Sequence, residues 1–209
     1  TSDISLCSKA INYFINNNYN IIRVGDKLSK NFNFVNDNFF DLTKSPKLSQ
    51  NNQFKTFEQS EFYFGSGGAC TLLCRFFEKK SILINIIPHH LSNQTHSFSK
   101  NNFILYKKVF CLKQKKILSI SEIFNDKNLF VSEISELVRP ELTTNNINAK
   151  KYILIENLEE EIFDVAKEFY DYNFNNQRTE TPEMKEFSIL RLSAINKLLN
   201  SSKEYFKYD

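Results

Sequence analysis

The sequence predicts an α/β fold with a parallel sheet flanked by helices, and three observations carry the prediction. Residues 61–64 (EFYF) form a short apolar and aromatic run that ends in Gly65-Ser66-Gly67-Gly68. Residues 69–77 (ACTLLCRFF) follow with Ala69, Leu72, Leu73, Phe76 and Phe77 at helical spacing, closed by Lys79-Lys80 where the helix dipole favours cations. Residues 81–87 (SILINII) are a nearly continuous apolar run, broken only by Asn85 and ended by Pro88. Such a run fits a strand buried on both faces, as in parallel sheets. Strand, turn, helix and strand in this order make one βαβ unit, which is right-handed in almost every known case.

The flanking segments extend the pattern. Residues 3–18 read as a helix that Asp3 caps, with Ile4, Ala10, Ile11, Phe14 and Ile15 on one face and Asn16-Asn17-Asn18 ending it. Residues 20–24 and 38–42 are short strands joined by a polar loop, residues 43–53 are a loop, and 54–59 add a helical turn. Residues 103–112 contain an extended segment with Lys107-Lys108 exposed, and Ser119 with Glu122 reads as a short capped helix. Residues 152–155 are apolar. Asn157 then caps a strong helix whose face is Leu158, Ile162, Val165, Ala166 and Phe169, with Glu159, Glu160 and Glu161 in its first turn. Residues 173–181 are a linker, and 182–199 form a C-terminal amphipathic helix striped by Met184, Phe187, Leu190, Ala194, Ile195 and Leu198. The expected division is a nucleotide-binding domain over 1–172, followed by the linker and helix over 173–209.

Composition narrows the function classes. The chain has 209 residues, 41% hydrophobic and 24% charged, as an ordinary globular protein does. A net charge of +3 and scattered lysine doublets such as Lys79-Lys80, Lys107-Lys108 and Lys115-Lys116 give no basic track, so nucleic acid is not an expected partner. Cys7, Cys70, Cys74 and Cys111 match no metal spacing and read as free thiols in a reducing, cytoplasmic compartment. No stretch is apolar over the ~20 residues that a spanning helix needs. The chain begins at Thr1 rather than Met, which suggests a fragment whose N-terminal portion lies elsewhere.

With only four glycines in the chain, three of them at 65, 67 and 68 single out one turn. Free N–H groups at a helix start, close backbone approach at glycine and the Ser66 hydroxyl would suit a phosphate. The same turn serves equally as a plain connector. Arg23, just before Gly25, reaches either a phosphate or a carboxylate such as Asp26 or Asp41. Pro88-His89-His90 follows the buried strand at its carboxyl end, where a substrate loop sits. It reads as a polar loop, as a substrate contact, or, with His96, as an incomplete metal set. Glu156-Asn157 either caps its helix or meets a ribose.

Taken in order, these residues resemble a bacterial family of glycosyltransferases associated with surface-polysaccharide clusters. The matching pieces are Asp3-Ile4, Asn20-Ile21-Ile22-Arg23-Val24-Gly25-Asp26, Glu61-Phe62-Tyr63-Phe64-Gly65-Ser66-Gly67-Gly68-Ala69, and Lys79 through Pro88. Ile117-Leu118-Ser119-Ile120-Ser121-Glu122-Ile123 and Glu156 through Ile162 complete a resemblance that covers residues 3–172. It implies the C-terminal, donor-binding half of a GT-B fold, with a Rossmann-like sheet and no essential metal or cofactor beyond the nucleotide-diphosphate sugar. The implied donor site is Arg23, Gly25, Gly65, Ser66, Gly67, Gly68, Ala69, Pro88 and His89. Gly68 stands where the family commonly carries a small or hydroxyl-bearing residue. The catalytic base usually comes from the N-terminal half, so none is assigned. The acceptor would be a polysaccharide or lipid-linked glycan, with work at the inner face of the membrane. The alternatives are a nucleotide-sugar epimerase-like enzyme and a non-catalytic remnant whose last helix docks on a missing half.

Overall fold

A computed structural model describes residues 3–87, 102–125 and 152–175. Asp3 caps a short 3-10 turn, Ile4–Cys7, by accepting the Ser5 N–H at 3.0 Å. Helix α1, Ser8–Asn16, continues from it and buries Ala10, Ile11, Phe14 and Ile15. The Asn run ends the helix as expected, with Asn18 at φ 66°. Strand β1, Ile21–Arg23, pairs in parallel with β2, Phe39–Asp41. Helix α2, Gln50–Gln59, is longer than the single turn expected, because Ser49 caps it by accepting the Asn52 N–H.

Strand β3, Phe62–Ser66, leads through Gly67-Gly68 into α3, Ala69–Phe76, and then into β4, Lys80–Ile86. Strand β5, Asn102–Tyr106, completes a parallel sheet of order β3-β4-β5. The central strand buries every residue from Ser81 to Ile86, which matches the expectation of a strand covered on both faces. Lys80 opens β4 rather than closing α3, and its ammonium lies 4.5 Å from the Phe174 ring centroid.

Antiparallel strands follow. Strand β6, Lys108–Cys111, pairs with β7, Lys116–Ile117, and with β8, Tyr152–Ile155. Helix α4, Ile120–Asn125, precedes β8 in the chain, and α5, Glu159–Phe174, follows it. Contacts divide the described residues into two units. The first holds 3–87, 102–107 and 156–175; the second holds 108–125 and 152–155. The antiparallel strands thus fall in a unit of their own. The expected helix over 182–199 lies outside the described residues.

Alternation along β3 shows how the first unit is layered. Phe62 and Phe64 meet Phe14 of α1 at ring distances of 4.9 and 6.1 Å, and Phe62 meets Phe169 of α5 at 5.2 Å. Tyr63, pointing the other way, meets Phe57 of α2 at 5.5 Å and has Cys70 and Cys74 of α3 beside it. Helices therefore cover both faces, with α1 and α5 on one and α2 and α3 on the other. The fully buried Phe14 and Phe169 each contribute about 2 kcal/mol by leaving water.

Two expected faces turn out differently. Helix α3 buries Thr71 and Cys74, while Leu72 and Phe76 stay 57% and 73% exposed. Both sides of this short helix carry apolar residues, so spacing alone could not select one. Thr71 tolerates burial because its hydroxyl donates to the Gly68 carbonyl at 2.6 Å. Helix α5 buries Ile162, Ala166 and Phe169 as expected, but Leu158 is exposed and is itself the N-cap residue.

The Ser119-Glu122 cap of α4 is present. Ser119 accepts the Glu122 N–H, and Glu122 accepts the Ser119 N–H at 2.9 Å. Lys116 at 2.5 Å and these Ser119 donors pull the Glu122 carboxyl down from 4.5 to about 2. A depressed acid contributes order that is fully present above its unfolded value and lost as pH falls through the folded one. The cap should therefore persist at pH 4 and open near pH 2. An NMR titration of Glu122 and the Ser119 amide reads this directly; a midpoint near 4.5 would contradict the brace.

Candidate functional site

Open parallel sheets bind ligands outside the carboxyl ends of their strands, where helix N-termini also gather. In this sheet the register sets Ser66 opposite Ile84 and Ile86 opposite Tyr106. The carboxyl edge thus runs from the Gly67-Gly68 turn, past Asn85 and Ile86, to Tyr106 and Lys107.

Gly68 is the N-cap residue of α3, at φ 130° and ψ −155°. Only glycine occupies that region readily. Space is not the reason, since a Cβ there would meet nothing within 4 Å. Gly67, Gly68 and Ala69 are exposed. The first N–H groups of α3 have no partner within their own helix, except that Thr71 N–H bonds the Gly68 carbonyl at 3.0 Å. An open turn with free amides at the positive end of a helix can take an anion.

Gly65 is needed for a different reason. A Cβ at Gly65 would sit 2.5 Å from the Tyr63 hydroxyl. That hydroxyl donates to the Ser66 carbonyl at 3.0 Å and braces the turn from beneath. Burial, then the Cys70 and Cys74 thiols, push the Tyr63 phenol well above its usual range, so it stays a neutral donor. Burial pushes the Cys74 thiol up to about 12 and raises Cys70 as well. Neither is a nucleophile at neutral pH.

Arg23 makes the ion pair that the sequence allowed as its alternative. Its Nη1 donates to Asp41 Oδ2 at 2.9 Å and its Nη2 donates to the Lys30 carbonyl at 2.7 Å. The pair is part-buried, with side chains 9% and 12% exposed. Asp41 Oδ1 also accepts from the Thr43 N–H and hydroxyl. The Gly25 N–H donates to Gln53 Oε1 at 3.1 Å. No hydrogen bond among the described residues links Arg23 or Gly25 to the Gly65–Ala69 turn. Pro88 and His89, with His90 and His96, lie outside the described residues. No group of His, Cys, Asp or Glu among the described residues could hold a metal ion, and no described helix is long and apolar enough to cross a membrane.

A polar cluster that the sequence reading did not assemble occupies the other end of this edge. Asn85, at φ 53°, sits where the β4–β5 register shifts. Its N–H donates to Asn157 Oδ1 at 2.8 Å, and its own Oδ1 accepts the Asn157 N–H at 2.7 Å. Asn157 Nδ2 donates to the Tyr106 carbonyl at 2.7 Å. Asn157 is thus not the expected side-chain cap of α5; it clasps β4 and β5 to the start of that helix. The cap falls instead to Glu161, which accepts the Leu158 N–H at 2.9 Å. Lys107, expected in solvent, is half-buried and pairs with Glu156 at 3.2 Å. Asn85 Nδ2 is buried and meets no acceptor among the described residues. An unmet buried donor costs about 1–3 kcal/mol and is uncommon in native interiors. The signal for Asn85 was visible as the one polar break in residues 81–87. Its partner lies 72 positions away and was not.

Comparison with protein-family models, with curated proteins and with solved structures gave no match.

Proposed function

We propose that this chain is the donor-binding half of a GT-B-type glycosyltransferase. Its substrate is a nucleotide-diphosphate sugar, and the sugar passes to a polysaccharide or lipid-linked acceptor at the inner face of the membrane. One observation carries the proposal: an open glycine turn starts a helix at the carboxyl edge of a parallel sheet. Amides of Gly67, Gly68 and Ala69, with the Ser66 hydroxyl, would hold the diphosphate. Charge develops on that group as the glycosidic bond to it breaks, so fixed donors there favour the transition state over the ground state. Arg23, engaged by Asp41, supports the β1–β2 pair instead. The catalytic base belongs to the other half of the fold, and no metal is required.

Thermal unfolding with UDP, GDP, ADP, CMP and TDP, each near millimolar, tests the reading. A ligand at 100 times its dissociation constant stabilises by about 2.7 kcal/mol, a shift of roughly 5–10 °C here. The expected result is a shift with one nucleotide that disappears in a Ser66→Leu/Gly67→Leu variant of unchanged apo melting point. An equal shift in that variant would remove the turn as the site.

A further inference from the structure

The two ends of the carboxyl edge differ in charge. At the α3 end the turn offers backbone donors and no carboxylate. At the α5 end the acidic groups are already engaged: Glu156 pairs with Lys107, Glu160 pairs with Lys9, and Glu159 and Glu161 accept the Lys9 and Leu158 N–H groups. Both lysines of this end are thus taken up by carboxylates rather than held for a phosphate, which suits the end to neutral groups. Asn85 belongs to this second end, because its side chain is locked to Asn157 on the α5 face of the sheet. That lock also fixes which way the amide points. Oδ1 must face the Asn157 N–H, so Nδ2 is the atom left over, in a residue only 6% exposed. The left-handed backbone and the register shift sit at the same residue, and both features gather at ligand-binding edges.

We propose that Asn85 is a ligand-binding residue, whose side-chain amide donates to an uncharged oxygen of the molecule held by its phosphates at the start of α3. The inference rests on the proposed function and goes beyond it. It assigns the recognition of the uncharged part of the ligand to the α5 end of the edge. That oxygen is a carbonyl or hydroxyl of either the nucleoside or the sugar. Asn85 sits one strand from the turn, a spacing of about 4.8 Å, so a diphosphate ester spans the two positions.

The test compares pyrophosphate, the best nucleoside diphosphate of the panel and its glucose conjugate, on the full chain. Two variants separate binding from folding. Asn85→Asp keeps the oxygen that accepts the Asn157 N–H and removes the donor. Asn85→Gly removes the side chain and suits the left-handed backbone. Both should bind pyrophosphate as the wild type does and bind the nucleotide ligand about three- to tenfold more weakly. Loss already with the nucleoside diphosphate places the acceptor on the nucleoside; loss only with the conjugate places it on the sugar. In the wild-type chain, the Asn85 side-chain amide signals should move with nucleotide ligand and not with pyrophosphate, a readout that needs no variant. Full nucleotide affinity in both variants, equal loss of pyrophosphate affinity, or unmoved amide signals would overturn the inference and leave the phosphate turn standing. Failure of every ligand to bind the wild type would remove both.

Discussion

Asn157→Ala should lower the unfolding free energy by about 3–5 kcal/mol, the largest effect of any single truncation at the sheet edge. The side chain accepts the Asn85 N–H and donates to the Tyr106 carbonyl, and it is 1% exposed. Alanine leaves the buried Asn85 N–H without its acceptor at about 1–3 kcal/mol, takes one donor from the Tyr106 carbonyl, and opens a void as well. For a chain of this length the melting temperature should fall by about 10 °C. Asn157→Asp is the informative companion, since it keeps the acceptor and loses only the bond to Tyr106. Its loss should be roughly half as large, before any cost of burying charge. Guanidinium denaturation of the three proteins measures the series. An alanine variant within 1 kcal/mol of wild type would mean that the clasp does not hold α5 to the sheet.

Arg23→Met should cost about 3–5 kcal/mol and leave nucleotide binding intact. Removing the guanidinium strands Asp41 in a site where its side chain is 12% exposed. It also frees the Lys30 carbonyl that Arg23 Nη2 satisfies. Breaking one partner of a buried pair is costly because the remaining charge stays desolvated, whereas replacing both by apolar groups is often tolerated. The double variant Arg23→Met/Asp41→Leu should therefore recover part of the loss, tempered by the Thr43 contacts that Asp41 also supplies. The same proteins decide between the two roles that the sequence left open for Arg23. A phosphate ligand would show lost nucleotide stabilisation at nearly constant apo stability. The geometry predicts the reverse, read from denaturation midpoints and ligand-induced shifts side by side.

Local signals and long-range ones divide cleanly at the candidate site. The turn was legible because glycine is rare in this chain and three of four glycines lie within four positions. Even there the reasons differ residue by residue. Gly68 answers to its own φ, a local matter, while Gly65 answers to the Tyr63 phenol beneath it. The Lys107-Lys108 doublet reads as solvent-facing in sequence, yet Lys107 follows β5 and meets Glu156 across 49 positions.

By itself the sequence determined the βαβ unit, the burial of β4 on both faces, the caps at Asp3 and Ser119, and the burial of Ile162, Ala166 and Phe169 on α5. Each follows from spacing within one turn or one strand, where backbone geometry dictates which side chains share a face. Only the tertiary structure decided which face of α3 is buried, that Arg23 answers to Asp41, and that Asn157 leaves its helix to clasp Asn85. Those choices depend on which segments meet across the sheet, and a buried polar group takes the partner that packing brings to it.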